Sequence, residues 1–569
     1  MAAQQTDVPP PLQHVPTAKE RKYDRQLRLW GAAGQAALEE AHILLINSGS
    51  GVTGIEALKN LILPGIGQFT IQDSALVTEA DLGVNFFLEE ESRGKPRAQE
   101  ACNYLLELNP DVQGHAISEP LDAWISSGNV LNPYTLILVS STIQPSILHH
   151  ITIHAKEHAI PVFYQHSVGF YSHFSILLPP AFPIVDTHPE ATATTDLRLL
   201  RPWPALTEFA REKTKDLKTM PDIDIGHVPY ILLLLYFLDE WRSAHNGEDP
   251  ISYNDKTAFK DLVKSAGPLE EENFGEAVAA VLKTINLPTP SSSVLAVLDA
   301  PEARDLTSTS ASFWFIAAAI HAFYKKHKQL PLPGSVPDMK ARSADYITLQ
   351  NIYKAKARQD CAEVTDIVRQ LETKGGRSEA IPSTEIEQFC KLAAHIKVVR
   401  GSPSPLTHVS EALDWTLESG KNLISKLPNP EFGLSEPSLI YVAFVAYDRF
   451  LATHTGNSLG EMRAPGTIAA EVDADAEKLT GIAFTVLDAA IKAAGTTVEN
   501  PQYDEVRAEL GQICQELTRA AGGELHNIAS LTGGMIAQEI IKAITRQYVP
   551  ADNTVVFDGI KSKIVAMKI

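Results

Sequence analysis

The stretch that most restricts the fold is Ile43-Leu44-Leu45-Ile46, which runs directly into Asn47-Ser48-Gly49-Ser50-Gly51-Val52-Thr53-Gly54. Ile55, Leu58, Leu61 and Ile62 follow at helical spacing, and Pro64-Gly65 stops the pattern. A short apolar run bounded by a turn residue reads as a buried strand, and the later periodicity reads as one face of a helix. Glycines in G-x-G-x-x-G permit a tight strand-to-helix turn and leave the helix N-terminus open to an anion. Phe69 to Ile71 supplies a second strand that delivers Asp73, nineteen residues after Gly54, close to the acidic position expected for a ribose hydroxyl. The first unit is therefore Rossmann-like.

The alternation continues. The spacing from Tyr23 to Leu38 predicts a helix ahead of the first strand, and Ala98 to Leu108 predicts one ended by Asn109-Pro110. Leu136 to Val139 and Val162 to Tyr164 read as strands flanking a helix around Ile147 to His158. From about 180 to 500 the pattern is helical, clearest at Pro229–Trp241, Phe313–Tyr324, Tyr346–Val368 and Leu439–Leu451. A helix at Ile528–Ile544 and strands at Thr554–Phe557 and Ile564–Met567 close the chain. About 70 residues can hardly bury a core of their own, so this segment is expected to return to the N-terminal sheet. The expected fold is α/β, a doubly wound Rossmann-like domain interrupted by a large, mostly helical insertion. The expected boundaries are a disordered lead-in at 1–19, the first part of the α/β domain at 20–175, the insertion at 176–500 and the second part of the α/β domain at 501–569.

Composition excludes several function classes. The chain has 569 residues, 44% of them apolar, enough for two or three domains. It carries 49 basic against 69 acidic residues, a net charge of −20, which disfavours phosphate-neutralising contact with nucleic acid or an anionic membrane. The longest strongly apolar run, Tyr230 to Leu238, has nine residues, whereas a spanning helix needs about 20. The proline-rich start, with Pro9, Pro10, Pro11 and Pro16, lacks a signal-peptide pattern, so an intracellular protein is expected. Cys102, Cys361, Cys390 and Cys514 form no C-x-x-C pair, and the histidines show no i, i+4 pairing with a third ligand. Neither a disulfide framework nor a metal site is expected.

Tyr23-Asp24-Arg25-Gln26-Leu27-Arg28-Leu29-Trp30-Gly31, the glycine turn, Leu63-Pro64-Gly65-Ile66-Gly67 and Asp73 resemble the adenylation fold of enzymes that activate ubiquitin-like proteins. Ser312-Phe313-Trp314, Val336-Pro337-Asp338-Met339, Leu349-Gln350-Asn351-Ile352-Tyr353, Tyr447-Asp448-Arg449-Phe450 and Gly533-Gly534-Met535-Ile536-Ala537-Gln538-Glu539 narrow this. Along nearly its whole length the chain is similar to the regulatory subunits of the heterodimeric neddylation-activating enzyme, the inactive half of a ThiF/MoeB-like pair. The resemblance implies a non-catalytic chain whose partner is a catalytic subunit. ATP and magnesium would act in that partner, which adenylates a Nedd/Rub-type modifier and captures it as a thioester. The modifier and its conjugating enzyme are the further partners implied. The insertion would then correspond to a catalytic-cysteine domain without its cysteine.

Set beside the pattern of the resembled family's active members, the residues imply the same deficit. Adenylation needs a magnesium carboxylate and cations against the charge of ATP. Active relatives carry Asn-x-Asn-Arg-Gln after the second strand, whereas this chain has Asp81-Leu82-Gly83-Val84-Asn85-Phe86-Phe87. Where they place a metal-binding aspartate, this chain has Ser140-Ser141-Thr142. Lys95 stands where the active fold uses a lysine on phosphate, and reads equally as a solvated lysine before a helix. The thioester cysteine of active relatives precedes threonine; here the four cysteines precede Asn103, Ala362, Lys391 and Gln515, and read as structural or incidental thiols. Gly49, Gly51, Gly54 and Asp73 are read as a vestigial nucleotide site, with the glycines serving strand-to-helix packing. Arg25 matches a position that, in related dimeric enzymes, reaches into the partner's ATP pocket, an arginine finger in physical terms. From pattern alone it is a surface arginine on an amphipathic helix. A self-sufficient adenylating enzyme, a nicotinamide-dependent dehydrogenase and a pure scaffold are the competing readings.

Overall fold

The computed structural model describes residues 16–189, 196–266, 271–401, 415–427, 437–454, 462–498 and 502–569. Residues 1–15 of the expected lead-in lie outside the described residues. Its last part, expected to be disordered, is instead helical: Thr17 caps a short helix, α1 (Ala18–Lys22), by accepting from Glu20 N, and Glu20 returns the bond. The helix expected from Tyr23 to Leu38 is α2 (Asp24–Glu40), broken at Gly31.

Among the described residues ten strands run in chain order: β1 (His42–Ile46), β2 (Gln68–Gln72), β3 (Gln113–Ile117), β4 (Leu136–Ser140), β5 (Val162–Val168), β6 (Tyr171–Leu177), β7 (Phe182–Val185), β8 (Ile396–Val399), β9 (Thr554–Asp558) and β10 (Lys563–Met567). Eight of them form one sheet in the order β10-β9-β6-β5-β4-β1-β2-β3, and β7 and β8 pair separately. From β3 through β5 every neighbouring pair is parallel, with β1 at the reversal of strand order between β2 and β4. β6, β9 and β10 extend the sheet antiparallel. The C-terminal hairpin thus completes the N-terminal sheet, as its small size required.

Helices α3 (Val52–Ile62), α4 (Glu79–Leu82), α5 (Arg97–Leu106) and α6 (Pro145–Glu157) supply the crossovers among the parallel strands. After residue 400 come α7 (Ser438–Thr453), α8 (Val472–Ala493), α9 (Gln502–Ala520) and α10 (His526–Thr545). The chain divides into two compact units: residues 1–182 with 399–569, and residues 183–398. This corrects the expected insertion of 176–500, because the stretch from 399 onward belongs to the α/β unit. The physical reason is α7, buried at every position from Ser438 to Asp448 and again at Phe450 and Leu451. A helix apolar all round needs cover on all sides. It finds that cover between the sheet residues Val168, Tyr171, Val556 and Val565 and the apolar faces of α8 and α9.

The second unit is helical, with helices Pro204–Thr214, Tyr230–Ala244, Glu272–Thr284, Ser312–His327 and Ser343–Gly375. The nine-residue apolar run lies in its core: Ile231 to Leu234 and Leu238 are inaccessible and pack with Phe259, Val281 and Tyr353. None of the described helices is long and apolar enough to cross a membrane.

Candidate functional site

The nucleotide-type cradle is built by the turn between β1 and α3. Gly51, at φ +64, precedes the first helical residue, Val52. A Cβ there would lie 2.2 Å from Asn47 Nδ2, and one at Gly54 would lie 2.7 Å from Leu45 Cδ1, so both glycines are required by strand-to-helix packing. The first amides of α3 point, as such turns dictate, toward an anion.

That anion is the chain's own. Glu524, just before α10, accepts from Val52 N at 2.6 Å and Ser50 Oγ at 2.8 Å through Oε2. Its Oε1 accepts from Thr53 Oγ1 at 2.6 Å and Thr53 N at 3.3 Å. The carboxylate is 7% exposed and takes the place a phosphate oxygen would need. Sequence reading missed it, because 472 residues separate Glu524 from Val52 and nothing local marks a glutamate as a helix plug.

Asp73 is equally committed. It is buried, with Arg97 donating to it from Nε at 2.8 Å and Nη2 at 3.3 Å, Asn47 Nδ2 at 3.0 Å and Ala75 N at 3.0 Å. Arg97 also reaches Asp81 at 2.9 Å, and Asp81 caps α4 through Thr78. Burial works against the guanidinium charge, but the two carboxylates outweigh it and hold Arg97 above its ordinary value. Asp73, Arg97 and Asp81 thus form one closed ion cluster. The Arg97 charge is spent inside the protein, between these two carboxylates.

Beyond the cradle lies a cavity of about 510 Å³, lined by Gly49, Ser141, His166, Tyr447, Arg463 and Glu524 among others. Arg463 is neutralised by Asp475 at 2.8 and 2.9 Å and by Glu471 at 3.3 Å. Its lining therefore offers a triphosphate the Glu524 carboxylate and no uncompensated cation among the described residues. Lys95 is exposed and its Nζ lies 3.5 Å from Glu100, away from this lining. At the serines after β4 a carboxylate does arrive from elsewhere: Ser141 Oγ donates to Asp448 Oδ1 at 3.3 Å. Asp448 sits on α7 and is already held by Tyr164 Oη at 2.7 Å.

The thiols are spread widely. Burial pushes Cys102 up to about 11 and Cys514 up to about 12. Cys361 and Cys390 face each other in the second unit, where the Cys390 thiol stabilises the Cys361 thiolate and holds it down to about 7, and Cys390 is raised in turn. Cys361 lies inside a helix, not at its N-terminus. Arg25 lies on α2, exposed, and makes no ion pair among the described residues, whereas its neighbour Arg28 pairs with Asp24 at 3.0 Å. The structure places Gly49, Gly51, Gly54 and Asp73 just beyond the carboxyl ends of the neighbouring strands β1 and β2, and leaves Arg25 outside this cavity's lining.

The ThiF family model matches residues 23–569. The chain belongs to the ThiF family. Within it, the chain is 36% identical over 553 residues to the NEDD8-activating enzyme E1 regulatory subunit of Xenopus laevis, covering 95% of this chain and 97% of that protein. It is 33% identical over 555 residues to the protein of the same description from Danio rerio, at 95% and 97% coverage. It is 32% identical over 554 residues to the NEDD8-activating enzyme E1 regulatory subunit AXR1 of Arabidopsis thaliana, at 96% coverage of each. This ThiF chain therefore matches these regulatory subunits over 95% or more of its own length.

Proposed function

We propose that this ThiF chain is the regulatory, non-catalytic subunit of a heterodimeric activating enzyme for a NEDD8-type modifier. Its partner is a catalytic subunit that binds ATP and magnesium, adenylates the modifier and forms the thioester. The observation that carries the reading is Glu524: a carboxylate with four donors already occupies the anion seat of α3. Bringing a phosphate into that seat means either expelling a satisfied buried charge or placing like charges together in a poorly solvated site, each costing several kcal/mol. The committed Asp73–Arg97–Asp81 cluster supports the same reading, since it leaves no ribose acceptor free. The second unit stands for a catalytic-cysteine domain without its nucleophile. Arg25 is the one candidate for direct participation, reaching in trans to the phosphates in the partner's pocket. Reduced, unpaired cysteines fit a cytoplasmic or nuclear location.

The test is ATP–pyrophosphate exchange with the modifier present, run on the isolated chain and on the complex with the catalytic subunit. Exchange by the complex alone is the expected result, and exchange by the isolated chain overturns the reading.

A further inference from the structure

Beneath α7 several buried polar atoms meet with nothing to satisfy them. His166 on β5 and His173 on β6 are directly opposite each other in the antiparallel pair, so both rings leave the same face of the sheet. Asp448, 5% exposed, projects onto them from α7. His166 Nδ1 lies 2.9 Å from Asp448 Oδ1 without the alignment of a hydrogen bond. Neither ring nitrogen of His173 has a hydrogen-bond partner among the described residues, and the same holds for Tyr441 Oη and Tyr447 Oη. Those two phenol rings stand edge-on to His173, at 5.6 Å, and to His166, at 5.0 Å. Native interiors pair nearly all such atoms, and a group left over calls for a missing partner. Asp448 compounds the problem: no lysine or arginine pairs with it among the described residues, and the one basic group against its carboxylate is the His166 ring.

We propose that His166, His173 and Asp448 form a binding site for a zinc-type divalent cation. One ligand atom from each lies within 4.8 Å of the others. Bonds of about 2.0–2.1 Å to a tetrahedral zinc put ligand atoms about 3.4 Å apart, so the widest pair would close by at most about 1.4 Å. Two imidazole nitrogens and one carboxylate oxygen suit zinc or cobalt, whereas magnesium and calcium require oxygen ligands. The site therefore differs in chemistry from any magnesium needed for adenylation. Tyr164 Oη, donating to Asp448 Oδ2 at 2.7 Å, and Ser141 Oγ, donating to Oδ1, orient the carboxylate as an outer shell does around a metal. His166 also lines the 510 Å³ cavity, which gives an ion its way in and leaves a fourth position for water. The bound cation would tie α7 to the β5–β6 ribbon and complete the charge balance of the cavity floor.

The test uses the full chain, stripped with a chelator, dialysed and titrated with cobalt(II) followed by visible absorption, with zinc(II) as competitor. One equivalent of cobalt with the intense bands of a four-coordinate site, displaced by zinc, is expected. Asp448→Asn and His173→Phe are each expected to weaken binding by about 100-fold or more. Thermal unfolding with and without zinc guards against misfolded variants: zinc raises the wild-type midpoint and leaves that of a folded variant unchanged. Absence of stoichiometric uptake by the wild-type chain, or equal uptake by a folded variant, overturns the proposal. Uptake of several equivalents insensitive to these substitutions marks surface histidines and overturns it as well.

Discussion

Replacing Glu524 with glutamine keeps its size and removes its charge, so it isolates the role of the carboxylate at the start of α3. Each oxygen accepts two hydrogen bonds, Oε2 from Val52 N and Ser50 Oγ, Oε1 from Thr53 N and Thr53 Oγ1. An amide keeps one accepting oxygen and turns an NH2 group toward the other pair of donors, so about two of the four interactions are lost. At a net ~1 kcal/mol per bond, with a further ~0.5–2 kcal/mol for the lost anion at a helix N-terminus, the expected cost is about 2–4 kcal/mol. Glu524→Ala removes all four interactions and opens the seat, with a larger cost of about 3–5 kcal/mol, capped because water from the adjacent cavity can reach the freed amides. The assay is guanidinium unfolding of the chain, combined with hydrogen exchange read by mass spectrometry over the first turn of α3. Loss of protection at Val52 and Thr53 should accompany the lower midpoint. Inorganic phosphate should restabilise Glu524→Ala and leave wild type untouched, because only the variant has a vacant anion seat. A Glu524→Gln chain that unfolds within about 0.5 kcal/mol of wild type, with unchanged exchange in α3, would refute the reasoning.

Arg25→Ala should leave assembly of the heterodimer intact and slow adenylate formation about ten- to a thousand-fold, on the order of 1–4 kcal/mol; unchanged kinetics in the purified variant complex would remove Arg25 from the chemistry. Arg97→Leu strands two buried carboxylates at 2.8 and 2.9 Å and should destabilise the α/β unit by about 3–5 kcal/mol in denaturant unfolding. Nucleotide binding by the isolated chain should not change with it. Brief labelling of the native chain with a water-soluble thiol reagent at pH 8 should mark Cys361 first, with Cys102 and Cys514 protected. With Cys361 held down to about 7, its thiolate, and so its labelling rate, should fall about ten-fold per pH unit below that value. Peptide mapping by mass spectrometry reads the order.

Most of the fold was legible because it is written in short-range periodicity. The β1–turn–α3 unit, the β4 and β5 strands, and the terminal helix and hairpin were found where the apolar spacing put them. β6 was not anticipated, since Tyr171-Ser172-His173-Phe174-Ser175 carries too many polar side chains to read as a buried strand. Those side chains are buried in the completed sheet, where Ser172 and Ser175 pair with Thr532 and Thr554 more than 350 residues away. The boundary of the helical insertion was misjudged for a related reason: helical spacing looks alike on either side of residue 399, and only packing shows which helices the sheet claims.

The residues alone determined the fold class and the place of the glycine turn. What surrounds that turn was decided in three dimensions. Glu524 in the anion seat, Arg97 between Asp73 and Asp81, and Asp448 over His166 and His173 each join residues from separate elements, two of these sites spanning hundreds of positions. A helix or strand pattern depends on neighbours a few residues apart. The fate of a buried charge depends on whichever opposite charge or donor the folded chain brings within about 3 Å, and sequence spacing carries no measure of that.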